Sequence, residues 1–475
     1  MGGIATSICC APTKPDEMDT FDQTRPFRLR LPVAALLLGA IFPLTLFPSF
    51  TLAQAGGGAS QGAGKYTGPG SCASSACHGA ITPQNVNEVL QNEYSTWIVK
   101  DKHAQSYKAL TGMVGERMAG ILGLGKAETA PRCLACHTLN PPAELRSRTF
   151  DVSEGVSCES CHGPASGWLG PHTERDWTHA KSVALGMVDT RDIVKRTEKC
   201  LSCHLGSEEK YVDHEMIAAG HPDLFFELDS FSAVMPRHWK EPGEPGETTS
   251  DPWYDVRELT TGQAVQLGES MMRLAGRTKG TNWPEYSEMQ CYACHHSLTP
   301  PEQSWRQARG YPGRRPGDPP WNASRYAVFR DVANQLDGAD AGQLADQITQ
   351  LTKLMSQLTP DRDAVASAAT SSARTADALV AKVQAAAYDP AVTLRLLRKI
   401  CDDAEEISGE GEQSAAQAAM AIQSLFVAYG RDAKLANSAE IRAAIGALFD
   451  QLQNPSAYDP AKFSRQMQQV NALLR

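Results

Sequence analysis

Cys133-Leu134-Ala135-Cys136-His137, Cys158-Glu159-Ser160-Cys161-His162 and Cys200-Leu201-Ser202-Cys203-His204 stand in close succession between residues 133 and 204. Each is C-x-x-C-H, the attachment signature of c-type haem. The chemistry dictates the spacing. Two thiols must reach the two vinyl groups of one porphyrin, and the adjacent imidazole must reach the iron. Zinc sites and redox dithiols also use C-x-x-C pairs. Neither requires a His directly after the second Cys every time.

Working outward, Cys291-Tyr292-Ala293-Cys294-His295 repeats the pattern, and Cys72-Ala73-Ser74-Ser75-Ala76-Cys77-His78 is a stretched C-x4-C-H version. The expectation is five covalently attached haem c groups, with iron ligated by His78, His137, His162, His204 and His295. Of thirteen cysteines ten belong to these motifs, and Cys9, Cys10 and Cys401 do not. No even set is left for a disulfide framework, so the cysteines serve a cofactor. Cys401, alone in the last third, reads as a buried small hydrophobe rather than a reactive thiol.

The histidines carry a second signal. Twelve are present and five belong to the motifs. The other seven are His103, His172, His179, His214, His221, His238 and His296. All fall inside the motif-bearing part, and none occurs in the 179 residues after His296. Structural or surface histidines would scatter over both parts, so the confinement points to distal axial ligands. His103, His172, His214, His221 and His238 form the expected distal set, with His296, adjacent to His295, in reserve. His214 and His221, seven apart, would share one face of a helix and serve two haems. His238 has Trp239 beside it to pack on a porphyrin. His179 has the least context and reads as a surface residue.

The chain divides by composition. Arg25, Arg28 and Arg30 precede an apolar run from Leu31 to Leu52, followed by Ala53-Gln54-Ala55. Basic segment, apolar segment and small-x-small site make a secretory signal peptide over 1–55, with Met18 the better start. The alternative is an uncleaved membrane anchor, since the run exceeds eighteen residues, but Pro43 and Pro48 interrupt it. Residues 56–71 form a Gly-rich linker, 72–299 the haem region, 300–323 a Pro/Gly-rich linker, and 324–475 an α-helical region. Within the haem region, helices are readable over Gln91–Leu110 and Thr261–Leu274. In the last region Leu344, Ile348, Leu351, Met355 and Leu358 recur at helical spacing. Thr359-Pro360, Asp389-Pro390 and Asp459-Pro460 read as helix starts, and Ser408-Gly409 and Tyr429-Gly430 as stops. Five to seven antiparallel amphipathic helices are expected there. Tyr-Asp-Pro-Ala occurs at both 388 and 458. The fold class is mainly α: a loop-rich multihaem cytochrome c domain followed by a bundle-like helical region.

The 475 residues carry 42% hydrophobic side chains, ordinary for a globular chain. A formal charge of −9 argues against a nucleic-acid partner. It leaves a local docking patch for a redox partner protein open.

Four segments resemble the cytochrome c554 family, also called the cytochrome c-552/4 domain. They are Gly155-Val156-Ser157-Cys158-Glu159-Ser160-Cys161-His162-Gly163-Pro164, Cys200-Leu201-Ser202-Cys203-His204-Leu205-Gly206, Asp213-His214-Glu215-Met216-Ile217-Ala218-Ala219-Gly220-His221-Pro222 and Cys291-Tyr292-Ala293-Cys294-His295-His296. The resemblance spans roughly 66–300. It implies a periplasmic electron carrier with closely stacked, mostly bis-histidine haems. The chain departs from the family's best-known four-haem member in its fifth motif and its long helical C-terminal region. The leading expectation is an exported pentahaem electron carrier that interacts with redox proteins. The alternative is an enzyme with one open haem acting on a small nitrogen or sulfur compound. A third is a membrane quinol oxidase subunit, which needs the N-terminal run to stay uncleaved. Seven spare His for five sites, and no C-x-x-C-K motif, favour the carrier.

Overall fold

The computed structural model describes residues 64–84, 89–244, 247, 250–291, 295, 315, 317–336, 338–433 and 435–475. The signal peptide, half of the first linker and most of the second lie outside them, as do Cys9, Cys10, Cys294 and His296. Residues 64–475 fall within one compact unit. The described residues are helical, with no strand and only two isolated bridges, Tyr66 with Arg146 and Met289 with Trp321.

The motif-bearing part is built of short pieces: α1 (Glu93–Lys100), α2 (Met113–Ile121), α3 (Pro131–His137), α4 (Cys158–His162), α5 (His179–Ala184), α6 (Ile193–His204), α7 (His214–Ala218) and α8 (Leu228–Val234). Irregular backbone and 3₁₀ turns join them. The long helix α9 (Tyr254–Arg277) follows. It extends well beyond the expected Thr261–Leu274, and it is buried almost all round rather than along one stripe. Val256, Leu259, Leu267, Met271 and Leu274 belong to the core of the C-terminal helices. Val265 points to a separate small cluster with Ile193, Leu201 and Phe226. α9 is thus a wall shared by both parts. Buried polar pairs stitch it on each side: the Arg196 guanidinium donates to Glu258 (2.9 Å), and Thr260 and Tyr388 share a hydroxyl hydrogen bond of 2.8 Å.

The C-terminal part holds α10 (Ser324–Ala327), α11 (Phe329–Leu336), α12 (Gly338–Met355), α13 (Arg362–Ala385), α14 (Pro390–Asp402), α15 (Ala404–Glu410), α16 (Glu412–Asp432), α17 (Ser438–Gln451) and α18 (Pro460–Leu473). That is nine segments among the described residues where five to seven were expected. The stripe Leu344, Ile348, Leu351 and Met355 is buried as its spacing requires, while Leu358 is exposed past the helix end. Asp389 and Asp459 cap as expected, accepting from the N–H groups of Val392 (2.7 Å) and of Ala461 and Lys462 (3.0 and 3.1 Å). Both helices opened by Tyr-Asp-Pro-Ala therefore start alike. The expected cap at Thr359-Pro360 is displaced: Asp361 accepts from Ala364 instead (2.7 Å), and Pro360 precedes the helix. The expected stops also fall late. α15 runs through Gly409 to Glu410, and α16 runs through Gly430 to Asp432. Glycine in a helix costs only about 1 kcal/mol, which packing overrides.

Candidate haem-binding site

Each regular motif among the described residues lies on one helical turn, which brings Cys i, Cys i+3 and His i+4 to one side. Cys133–His137 closes α3, Cys158–His162 forms α4, and Cys200–His204 closes α6. The intervening residues face elsewhere. Glu159 is 2% exposed and accepts from the N–H groups of Thr67 (2.9 Å), Gly68 (2.7 Å) and Ala165 (2.7 Å). It fastens the segment before the stretched motif onto α4. The stretched motif forms a 3₁₀ turn, Pro69–Cys72, and a tight reversal that closes with the His78 N–H on the Cys72 carbonyl (3.2 Å). Only glycine fits directly after it, since a Cβ at Gly79 would stand 1.9 Å from the Ala73 carbonyl oxygen.

The thiols lie beside one another across motifs. Cys72 lies beside Cys158, and Cys136 beside Cys203. Cys161 is the charge neighbour of Cys200 and Cys203. Arg132, which precedes Cys133, pairs with Asp213 at the start of α7, beside His214. The motifs therefore follow one another in space in an order that differs from the chain: 72–78, 158–162, 200–204, 133–137, then His295.

Four motif imidazoles face a second imidazole. His78 and His172 lie in nearly parallel planes, 9° apart, with ring centroids 6.1 Å apart. His204 and His103 stand 6.1 Å apart, His137 and His221 6.3 Å, and His295 and His214 6.3 Å. Two imidazoles flanking one metal ion, with bonds of about 2.0 Å and about 1.1 Å more from nitrogen to ring centre, stand roughly 6.2 Å apart. The residues fit the group. Among the described residues no ring faces His162 at that spacing, and the largest charge effect on it comes from His238.

The other ring nitrogen decides which nitrogen is left for a metal. Nδ1 of His78 meets Glu93 (2.9 Å), and that of His103 meets Asp101 (3.0 Å). Backbone carbonyls meet Nδ1 of His137 (Ser106, 3.0 Å), His172 (Leu169, 2.6 Å), His221 (Pro222, 2.7 Å) and His238 (Pro236, 3.3 Å). Each arrangement leaves Nε2 free to face a metal. His179 is the reverse: its Nε2 meets Asp189 at 2.8 Å. Burial pushes His162 and His204 down to about 4, which keeps them in the neutral, ligating form. The hydrogen bond to Glu93 pulls His78 the other way.

Two expectations about helices are corrected here. The expected helix Gln91–Leu110 is broken at Asp101, which turns extended and caps a 3₁₀ turn over Lys102–Gln105. His103 sits on that turn, and Asp101 binds both its backbone N–H (2.9 Å) and its ring. His214 and His221 do not share a helix. α7 ends at Ala218, and Gly220 follows at φ +111°, which a side chain would resist. That reversal aims the two rings at different motifs.

Sequence reading missed the supporting shell. Glu93 and Asp101 hold ring nitrogens, Trp168 packs edge-on against His172, Phe226 and Phe231 pack on His204, and Tyr286 packs on His214. Only Asp101, two residues before its His, leaves a local trace.

The described residues hold no helix long and apolar enough to cross a membrane. No curated protein and no solved structure matches the chain. The family model for cytochrome c554 and c-prime matches residues 71–163, which hold the stretched motif and the next two. Over that segment the chain is similar to the cytochrome c554 and c-prime family, which supports a c-type cytochrome with covalently bound haem c and a role in electron transfer.

Proposed function

We propose that the chain is an exported pentahaem cytochrome that passes electrons along a row of haems, each held between two histidines. The observation that carries this reading is the set of four imidazole pairs at 6.1–6.3 Å, each joining a motif His to a spare one. Bound haem supplies an iron that accepts and releases one electron. The chain's own residues do the rest. Paired thiols tether the group. Glu93, Asp101 and four backbone carbonyls hold ring orientation, and such outer contacts tune the metal. Phe226, Phe231 and Trp168 exclude water at their imidazoles. With both faces taken, the site exchanges electrons with little rearrangement. The apolar run Leu31–Leu52 and the Ala-x-Ala site before Gly56 support export.

Intact-mass measurement of the exported protein is expected to show five haem increments and Gly56 at the N-terminus. Four increments would remove Cys72, Cys77 and His78 from the set. His221→Ala is expected to turn one haem high-spin in the electron paramagnetic resonance spectrum and leave the others low-spin. No change in any haem would remove His221 from the ligands.

One observation favours a second reading. His162 is the one described motif His with no ring facing it at ligand spacing. If His238 does not ligate there, the Cys158–His162 haem is open, and the chain is an enzyme acting on a small nitrogen or sulfur compound. A high-spin haem in the unmodified protein that binds carbon monoxide or nitrite would decide for this reading.

A further inference from the structure

α2 has an outer face that nothing in its surroundings explains. Its inner face, Gly115 and Ala119, packs on Leu110, Leu134 and Cys133. Met118 also lies inward, with its Cγ 4.0 Å from where a Cβ on Gly220 would stand, next to the half-buried His221. On the outer face Met113, Val114 and Ile121 are 86%, 69% and 58% exposed. They follow helical spacing with Arg117 between them, so they form one stripe. Single exposed hydrophobes are ordinary, but three large ones along one short helix mark an interaction surface. Along the chain to either side of α2 the exposed charges are one-sided. Between residues 98 and 126 the exposed charged side chains are Lys100, Lys102, Lys108, Arg117 and Lys126 against Glu116 alone. Lys126 also reaches the half-buried Glu128 at 3.9 Å. The whole chain is at −9, so this basic surround departs from its average.

We propose that the outer face of α2 is the docking surface for an acidic redox protein, which exchanges electrons at the Cys133–His137 site. The proposal rests on the electron-carrier reading above. An apolar centre with a charged rim is the anatomy of a transient interface, and methionine and arginine are enriched there. An acidic partner is drawn to this face and repelled by the rest of the surface, which steers encounter. A protein seated on the stripe comes within about one helix diameter, roughly 10 Å, of the His137–His221 pair. A lipid surface fits less well, because α2 has nine residues and three glycines in and beside it, short of an interfacial helix.

The test is stopped-flow reduction of the full-length, haem-loaded chain by reduced flavodoxin, a small acidic one-electron donor. The charge-reversed variant Lys108→Glu/Arg117→Glu/Lys126→Glu should be reduced about tenfold or more slowly at low salt, with the difference vanishing at high salt. Met113→Ser/Val114→Ser/Ile121→Ser should weaken the reaction without changing its salt dependence. Lys353→Glu, an exposed lysine on α12, should change nothing. Dithionite should reduce every variant at the unmodified rate, and an unchanged Soret spectrum would show that the haem sites are intact. Equal flavodoxin rates in all variants would overturn the docking surface and leave the carrier reading in place. If dithionite also fails to reduce the unmodified chain, both fall together. Replacing Val114 by benzoylphenylalanine locates the occupant: a photo-crosslink to flavodoxin supports the proposal. A crosslink to the chain's own residues, to a second copy or to anionic phosphatidylglycerol vesicles overturns it.

Discussion

The motif-bearing part and the C-terminal helices are built on opposite principles. From α11 onward the helices share one continuous core, in which Leu344, Leu351, Val365, Leu397, Ile400, Ile422, Leu448, Phe463 and Met467 are fully buried. Before α9, buried apolar side chains gather in two small groups, Leu110 with Ala119, Ala127 and Leu134, and Ile193 with Leu201, Leu205, Phe226 and Leu228, joined by Val265 of α9. Such groups are too thin to offset the conformational entropy of so long and irregular a backbone. The difference teaches that one part carries its core in side chains, while the other gathers few of them around its haem-attachment motifs.

Removing haem should break the comparison most sharply. A chain produced without haem attachment is expected to lose ordered structure over 64–244 and keep helices in 324–475. Limited proteolysis with mass mapping checks this, and equal resistance of both parts would show that the first part does not depend on porphyrin. Next in size is a cavity in the side-chain core. Leu448→Ala on α17 should destabilise the C-terminal helices by about 2–5 kcal/mol with no change in the Soret band. A shift in that band would mean the two cores are coupled through α9 more tightly than their separate packing implies.

A smaller effect sharpens the comparison through pH. Burial pushes Glu410 up to about 7 against an ordinary 4.5, although Arg330 pulls it down. Between those values the folded chain holds a proton that the unfolded chain has released. Stability from this group is therefore present below about 4.5 and falls as pH rises toward 7. Glu410→Gln should flatten thermal stability over that window by up to roughly 3 kcal/mol, followed by circular dichroism. An unchanged slope would place the titrating group elsewhere, with the haem-side Glu258, also pushed up to about 7 by burial, as the next to replace.

Much of this was legible in the residues themselves. Haem attachment is local covalent chemistry, so C-x-x-C-H declares it. Caps such as Asp389-Pro390 are local too, because a side chain reaches an N–H only two or three residues on. The helical core of the last region follows from the spacing of Leu344, Ile348 and Leu351. The confinement of the spare histidines singled out, as a group, the rings that meet motif imidazoles.

The partners within that group were not legible. His172 comes ten residues after His162 but faces His78, and His103 faces His204 across most of the motif region. His214 and His221 diverge because Gly220 ends their common path. Spatial order among the motifs likewise departs from chain order. The physical reason is range. Attachment and capping are settled within one helical turn, whereas two imidazoles reach 6 Å only after the intervening backbone has turned, packed and been clamped by Glu159, Arg132 and Asp101. Residue type and count belong to the sequence, and which ring meets which is decided by the fold.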